Sequence, residues 1–111
     1  MRITFTFRNM NSSEGVKNYA NEKVSKLQKY LRAPLEADLI FSTERHFHRV
    51  DVTIGADGNR YAGHEESEDM YASIDLVMDK IDRQVRDAKN AMTTRKRHSP
   101  SIGEIARREE D

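Results

Sequence analysis

Apolar and polar residues alternate strictly from Arg2 to Arg8. Ile3, Phe5 and Phe7 stand against Thr4 and Thr6, the period of a half-buried strand. Asn11, Ser12 and Ser13 then offer side-chain oxygens able to cap a helix, with Glu14 in its first turn. Val16, Ala20, Val24, Leu27 and Leu31 share one helical face, which predicts a helix to about Arg32, stopped by Pro34. Period two returns in Ala37, Leu39 and Phe41, with Asp38 and Ser42 between them, and again in Val50, Val52 and Ile54, with Asp51 and Thr53. The stretch RHFHR, residues 45–49, joins these two strands and lies at a hairpin end. Asp57-Gly58 is a turn signal, and Asn59 to about Glu65 makes a shorter, weaker fourth strand. Ser67 is the expected cap of a second helix, with Glu68 and Asp69 placed favourably against its dipole. Ile74, Val77, Met78, Ile81, Val85, Ala88 and Met92 form its apolar stripe, which fades near Arg95.

The element order is therefore β-α-β-β-β-α, an α+β fold. The first two strands flank a helix and are expected to be parallel neighbours joined by a right-handed crossover, and the rest is an antiparallel meander. One four-stranded mixed sheet with two helices packed on one face satisfies this pattern. The other face then shows Asp38, Ser42, Asp51 and Thr53. Residues 1–96 are read as one domain, and 97–111 as a flexible charged tail, polar from Pro100 onward.

The 111 residues contain no cysteine, which excludes disulfides and thiolate metal sites. No apolar run approaches the ~20 residues that a spanning helix needs. The amino-terminal strand pattern lacks the continuous apolar core of a signal peptide, so the expected address is the cytoplasm. Formal net charge is zero, but it is unevenly distributed. Residues 14–32 carry five basic and two acidic side chains, residues 33–69 three and nine, and residues 70–98 seven and four. A neutral total can therefore hide a polarised molecule.

An enzyme would need a constellation, and none appears. There is no glycine-rich phosphate loop and no nucleophile motif. His64, Glu65 and Glu66 are adjacent, but strand neighbours point to opposite faces. The chain is read as not an enzyme, with no cofactor, no small-molecule substrate and no membrane partner. RHFHR admits three readings. It is a solvated hairpin tip, or a metal clip through His46 and His48 on one strand face with His64 as a third ligand, or a secondary RNA contact. Zinc usually wants three or four ligands, which weakens the metal reading. In the RNA reading Arg45 and Arg49 meet phosphates, while Phe47, His46 or His48 stacks on a base.

The helices carry the stronger signal. Lys23, Lys26 and Lys29 recur every three residues on the first. On the second, Lys80, Arg83 and Arg86 repeat the rhythm and Lys89 follows. Asp79 precedes Arg83 by four residues and Asp82 precedes Arg86 by four, the order that stabilises an exposed helix. A salt-laced solvent face is thus one reading of these charges. A joint basic surface for a shaped RNA backbone is the other, and a general double-stranded or structured RNA-binding module would need the same surface.

EDMYASIDLVMDKIDRQ (68–84) and NEKVSKLQKYL (21–31), with this element order, resemble the bacterial ribosome hibernation promoting factor and protein Y family over roughly residues 1–96. The resemblance implies a non-enzymatic factor that binds the small ribosomal subunit and its 16S rRNA. Its seat would be the decoding region, where it would block messenger and transfer RNA in stationary phase or stress. It implies RNA contacts by Lys23, Lys26, Lys29, Lys80, Arg83 and Lys89. Arg86 is added from its place on the helical face. Long members carry a further domain that pairs ribosomes, and this chain resembles the short form.

Overall fold

The computed structural model describes the backbone of residues 1–97 and the side chains of residues 1–90. The tail assigned to 97–111 lies outside the described residues, apart from the backbone of Arg97. The elements are β1 (Arg2–Arg8), α1 (Glu14–Leu27), a 3-10 turn (Gln28–Tyr30), β2 (Glu36–Glu44), β3 (Phe47–Ala56), β4 (Asn59–Ser67) and α2 (Met70–Arg97). The sheet order is β1-β2-β3-β4, with β1 parallel to β2 and the other pairs antiparallel. This is the expected α+β arrangement.

Alternation decides the layers. Leu39, Phe41, Val50, Val52 and Ile54 turn one face of the sheet inward, where they pack with Val16, Ala20, Val24 and Leu27 of α1 and Met70, Ile74, Val77, Met78, Ile81 and Val85 of α2. Ile3, Phe5 and Phe7 of β1, at the sheet edge, are only half-buried. Phe5 and Phe7 stack on the fully buried Phe41, with ring centroids 6.2 and 5.0 Å away. Met92, assigned to the α2 stripe, has its side chain outside the described residues.

One local detail narrows the sequence reading and two differ from it, each because a side chain claims a backbone group. Of the three candidate caps for α1, Ser13 is the one used: its hydroxyl accepts from the Val16 N–H at 3.2 Å. The helix tightens into a 3-10 turn at Gln28 instead of running to Arg32. There the Gln28 amide donates to the Ala33 carbonyl (2.9 Å) and accepts from the Leu35 N–H (2.9 Å), drawing the chain into the loop before β2. At α2 the cap is Asp69, not Ser67. The Asp69 carboxylate accepts from the Ala72 N–H at 3.3 Å. Ser67 is still paired with His48 in β4, which is therefore longer than expected. Its hydroxyl lies 2.7 Å from that of the buried Ser73.

The β3–β4 turn holds a second clamp on the same loop. Asp57 and Gly58 both take positive φ (53° and 78°), the left-handed pair that a tight hairpin requires. This turns the Asp57 carboxylate onto the N–H groups of Arg32 (3.0 Å) and Ala33 (2.8 Å). Those two donors hold its pKa below the ordinary carboxylate value. A carboxyl whose folded pKa is depressed stabilises above its unfolded pKa and loses that contribution as pH falls through the folded value. Asp57→Asn keeps the tolerance for positive φ and removes the charge. We expect a small loss of melting temperature at about pH 7 that shrinks toward zero at about pH 2, read by circular dichroism.

Candidate nucleic-acid interface

Because α1 and α2 lie on the same sheet face, an open groove runs between them. It is lined by Lys23, Lys26, Leu27, Lys29 and Tyr30 from the first helical segment and by Met78, Asp79 and Asp82 from α2. Thus three of the seven helical candidates converge, as their three-residue spacing requires once α1 has turned its apolar stripe inward.

The lysines differ in their surroundings. Lys23 is half-buried and pairs with Asp75 of α2 at 3.5 Å. Asp75 also accepts a 2.5 Å hydrogen bond from the Tyr19 hydroxyl, and the Lys23 ammonium sits 5.4 Å from the Tyr19 ring centroid. The neighbouring Asp75 charge is the main cause of the raised Lys23 pKa, and the Asp75 hydrogen bond is the main cause of the raised Tyr19 pKa. Tyr71 closes this end edge-on to Tyr19, centroids 5.2 Å apart. Its hydroxyl passes so near the backbone of Gly15 that a Cβ there would come within 2.7 Å. Lys26 is exposed, and among the described residues it meets no carboxylate within salt-bridge distance. Lys29 is exposed over the Tyr30 ring at 5.2 Å.

The cations of α2 are more dispersed. Lys80 points toward β4 and forms an ion pair with Glu65. Arg83 is exposed on the solvent side of the helix. Arg86 pairs with Asp82 at 3.0 Å, the acid-first pair the sequence contains. Lys89 reaches across to the Tyr30 carbonyl at 3.2 Å and ties the end of α1 to α2. All seven belong to the helical layer, but the groove has mixed charge, because acids of α2 enter it. Asp75, Asp79 and Asp82 are spaced i, i+4, i+7, an acidic stripe facing the α1 lysines. That spacing was the available signal for a feature that sequence reasoning missed.

The hairpin candidates do not converge. Arg45 and His46 form a two-residue turn, with φ of 58° at Arg45, and both are exposed. Phe47, His48 and Arg49 already belong to β3 and point to alternating faces. His46 and His48 therefore do not share a strand face. His46 instead packs on Phe47, ring centroids 4.6 Å apart. His48 lies on the core-facing side of β3, and its Nδ1 is buried without a hydrogen-bond partner among the described residues. Arg49 is on the open sheet face, where it makes a two-pronged contact with Asp51 (3.0 Å to each oxygen), which raises its pKa. His64 shares that open face, since it pairs with Asp51. Among the described residues no three histidine or acidic side chains are grouped to hold an ion.

The register also sets the charge of the open face. Arg2, Arg8, Arg49 and Arg60 are interleaved with Glu36, Asp38, Glu44, Asp51 and Glu66, and Arg2 pairs with Glu36 at 3.5 Å. Of the acidic or neutral face expected, a slightly acidic one is found among the strand residues, and the helical layer is the side with a run of lysines. Among the described residues no helix is long and apolar enough to cross a membrane.

Comparison with known proteins gives a consistent result. A family model described as "Sigma 54 modulation protein / S30EA ribosomal protein" matches residues 3–93. The ribosome hibernation promoting factor of Azotobacter vinelandii is 28% identical over 85 residues, covering 77% of this chain and 79% of that protein. The ribosome hibernation promotion factor of Lactococcus lactis is 31% identical over 109 residues, 93% of this chain, which span 58% of that longer protein. Among solved structures, the protein Y N-terminal domain of Thermus thermophilus superimposes with a TM-score of 0.75 at 26% identity, covering 78% of this chain and 98% of that domain.

Proposed function

This chain belongs to the Sigma 54 modulation protein / S30EA ribosomal protein family, and from that premise we propose that it is a ribosome hibernation factor acting by occlusion. Relatives named for ribosome hibernation match most of its length, which makes a ribosome the partner. The finer reading is that the helical layer seats on 16S rRNA of the small subunit, at the decoding region. There the domain fills a preformed cleft and blocks messenger and transfer RNA. It performs no covalent chemistry. Residues 1–96 are the binding unit in this reading, and its cationic contacts are Lys23, Lys26, Lys29, Lys80, Arg83, Arg86 and Lys89. Arg45 and His46 at the hairpin tip remain open to a secondary contact. His48, facing the core, and Arg49, held by Asp51, are less accessible to one.

The observation that carries this reading is the convergence of Lys23, Lys26 and Lys29 on one groove, with Lys26 exposed beside it. Ammonium groups so arranged attract phosphates without reading bases. The ion pairs at Lys23, Lys80 and Arg86 do not oppose this strongly. All three cationic side chains keep about a third or more of their surface exposed, so exchanging a carboxylate for a phosphate costs little.

Competition tests the reading against its alternative, a general duplex-RNA module. Labelled protein bound to small ribosomal subunits is challenged with an unrelated RNA duplex at equal nucleotide concentration. We expect the duplex to displace less than about a tenth of the protein at physiological salt, because a shaped cleft adds interactions that plain duplex lacks. Equal competition would overturn the ribosomal seat in favour of the general module.

A further inference from the structure

The two edges of the sheet are finished differently. At β4, α2 interrupts the edge: the Gln84 amide donates to the Ala62 carbonyl at 2.9 Å and accepts from the Ala62 N–H at 3.3 Å. Both outward groups of Ala62 are taken, which breaks the row that an added strand would pair with, although Arg60, His64 and Glu66 turn outward by the same alternation. At β1 no described side chain does the same. The Arg2 N–H bonds to the Leu35 carbonyl at 3.0 Å, on the β2 side. N–H and C=O of one strand residue point the same way, so the even residues of β1 face β2, and Ile3, Phe5 and Phe7 turn their backbone groups outward. These same residues are half-buried along the edge, and β1 contains no proline or bulge to protect it.

The strand is also close to its own mirror. RITFTFR read about Phe5 sets threonine 4 against threonine 6, isoleucine 3 against phenylalanine 7, and arginine 2 against arginine 8. We propose that the β1 edge pairs antiparallel with the β1 edge of a second copy of this chain, on a two-fold axis through Phe5.

Three observations converge on that register. The residues with outward backbone groups, Ile3, Phe5 and Phe7, fall opposite one another, so each such pair exchanges N–H···O bonds in both directions. The half-exposed apolar side chains of one copy cover those of the other on the helical side. Thr4 meets Thr6 on the open side, a favourable cross-strand pair. A slip of one residue would set outward groups against inward ones and lose all three. The opposing effect is Arg2 against Arg8 at each end, and Glu36, 3.5 Å from Arg2, offsets part of it. A strand of seven residues makes a small interface, so the association is weak and concentration-dependent. The edge lies away from the interhelical groove, so self-pairing is independent of the ribosomal reading.

Sedimentation equilibrium of the full chain tests it, from about 10 μM to about 1 mM, the range in which a small interface registers. The wild type is expected to show a monomer–dimer equilibrium. Thr4→Lys/Thr6→Lys places like charges opposite each other twice by symmetry and is expected to weaken the dimer by about tenfold or more. Thr4→Lys/Thr6→Glu places opposite charges there and is expected to restore it. Thermal melts followed by circular dichroism check that each variant is folded. A wild type that stays monomeric throughout overturns the proposal, including the case where the edge serves an extended peptide of another protein. So does self-association that the double-lysine variant leaves unchanged.

Discussion

Reversing the charge of Lys26, Lys80 and Arg83 together (Lys26→Glu, Lys80→Glu, Arg83→Glu) is expected to abolish co-sedimentation with small ribosomal subunits and to leave the circular dichroism spectrum unchanged. The three side chains are exposed, on two helices of one layer, so their replacement removes no core packing. Every phosphate that is no longer neutralised takes roughly one unit from the slope of log affinity against log salt, and replacing attraction with repulsion compounds the effect. A fall of at least about a thousandfold near physiological salt follows from three such sites. Arg60→Glu on the open sheet face is the control. It changes net charge by the same amount per site and is expected to leave binding within about threefold. If the triple variant still sediments with the subunits, the helical layer is not the RNA-facing surface. If the Arg60 control fails equally, the effect is one of net charge alone.

The second large effect concerns stability. Phe41→Ala is expected to cost about 3–5 kcal/mol, the range for emptying a buried aromatic site. Phe41 is fully buried in an interior strand and has Phe5 and Phe7 stacked on it. Truncation therefore removes its own burial and also leaves the two edge aromatics without a platform. A domain of this size is stable by only about 5–15 kcal/mol, so a substantial part of that margin goes. Urea unfolding followed by circular dichroism would show a lowered midpoint at nearly constant slope. Phe7→Ala, at a half-exposed site of the same cluster, is expected to cost distinctly less. Equal losses would mean that the edge strand, rather than the interior one, anchors this part of the core.

The strands of strict alternation were the most legible part of the chain. β1 was readable to its ends because Ile3, Thr4, Phe5, Thr6 and Phe7 leave no ambiguity of period. β4 was underestimated because only Tyr61 on its inward side is a large apolar residue; Gly63, Glu65 and Ser67 follow it, and pairing along β3 carries the strand through them. The end of α1 and the cap of α2 were not readable, because they depend on which backbone group Gln28 and Asp69 reach, a matter of a fraction of a turn.

At the site, the spacing of Lys23, Lys26 and Lys29 was enough to place them on one side of α1. Their counterparts were not legible, since Asp75 and Glu65 come from other elements. Which cation meets which acid follows from how the helices sit on the sheet, not from any local pattern. The same holds for RHFHR. Its composition suggested a common purpose, but a turn of two residues instead of a wider loop sends its side chains in three directions.

The Gln84 plug on β4 has one more consequence. A sheet open at both flanks can recruit neighbours without limit and grow into a ribbon. Here the outward row on β4 is broken at Ala62 by the chain's own amide, and a two-fold contact uses the β1 edge of both copies at once, so growth ends with the first recruit. Self-pairing would yield a closed, countable particle that dissolves on dilution, and the sequence tolerates an aromatic edge strand without inviting fibres.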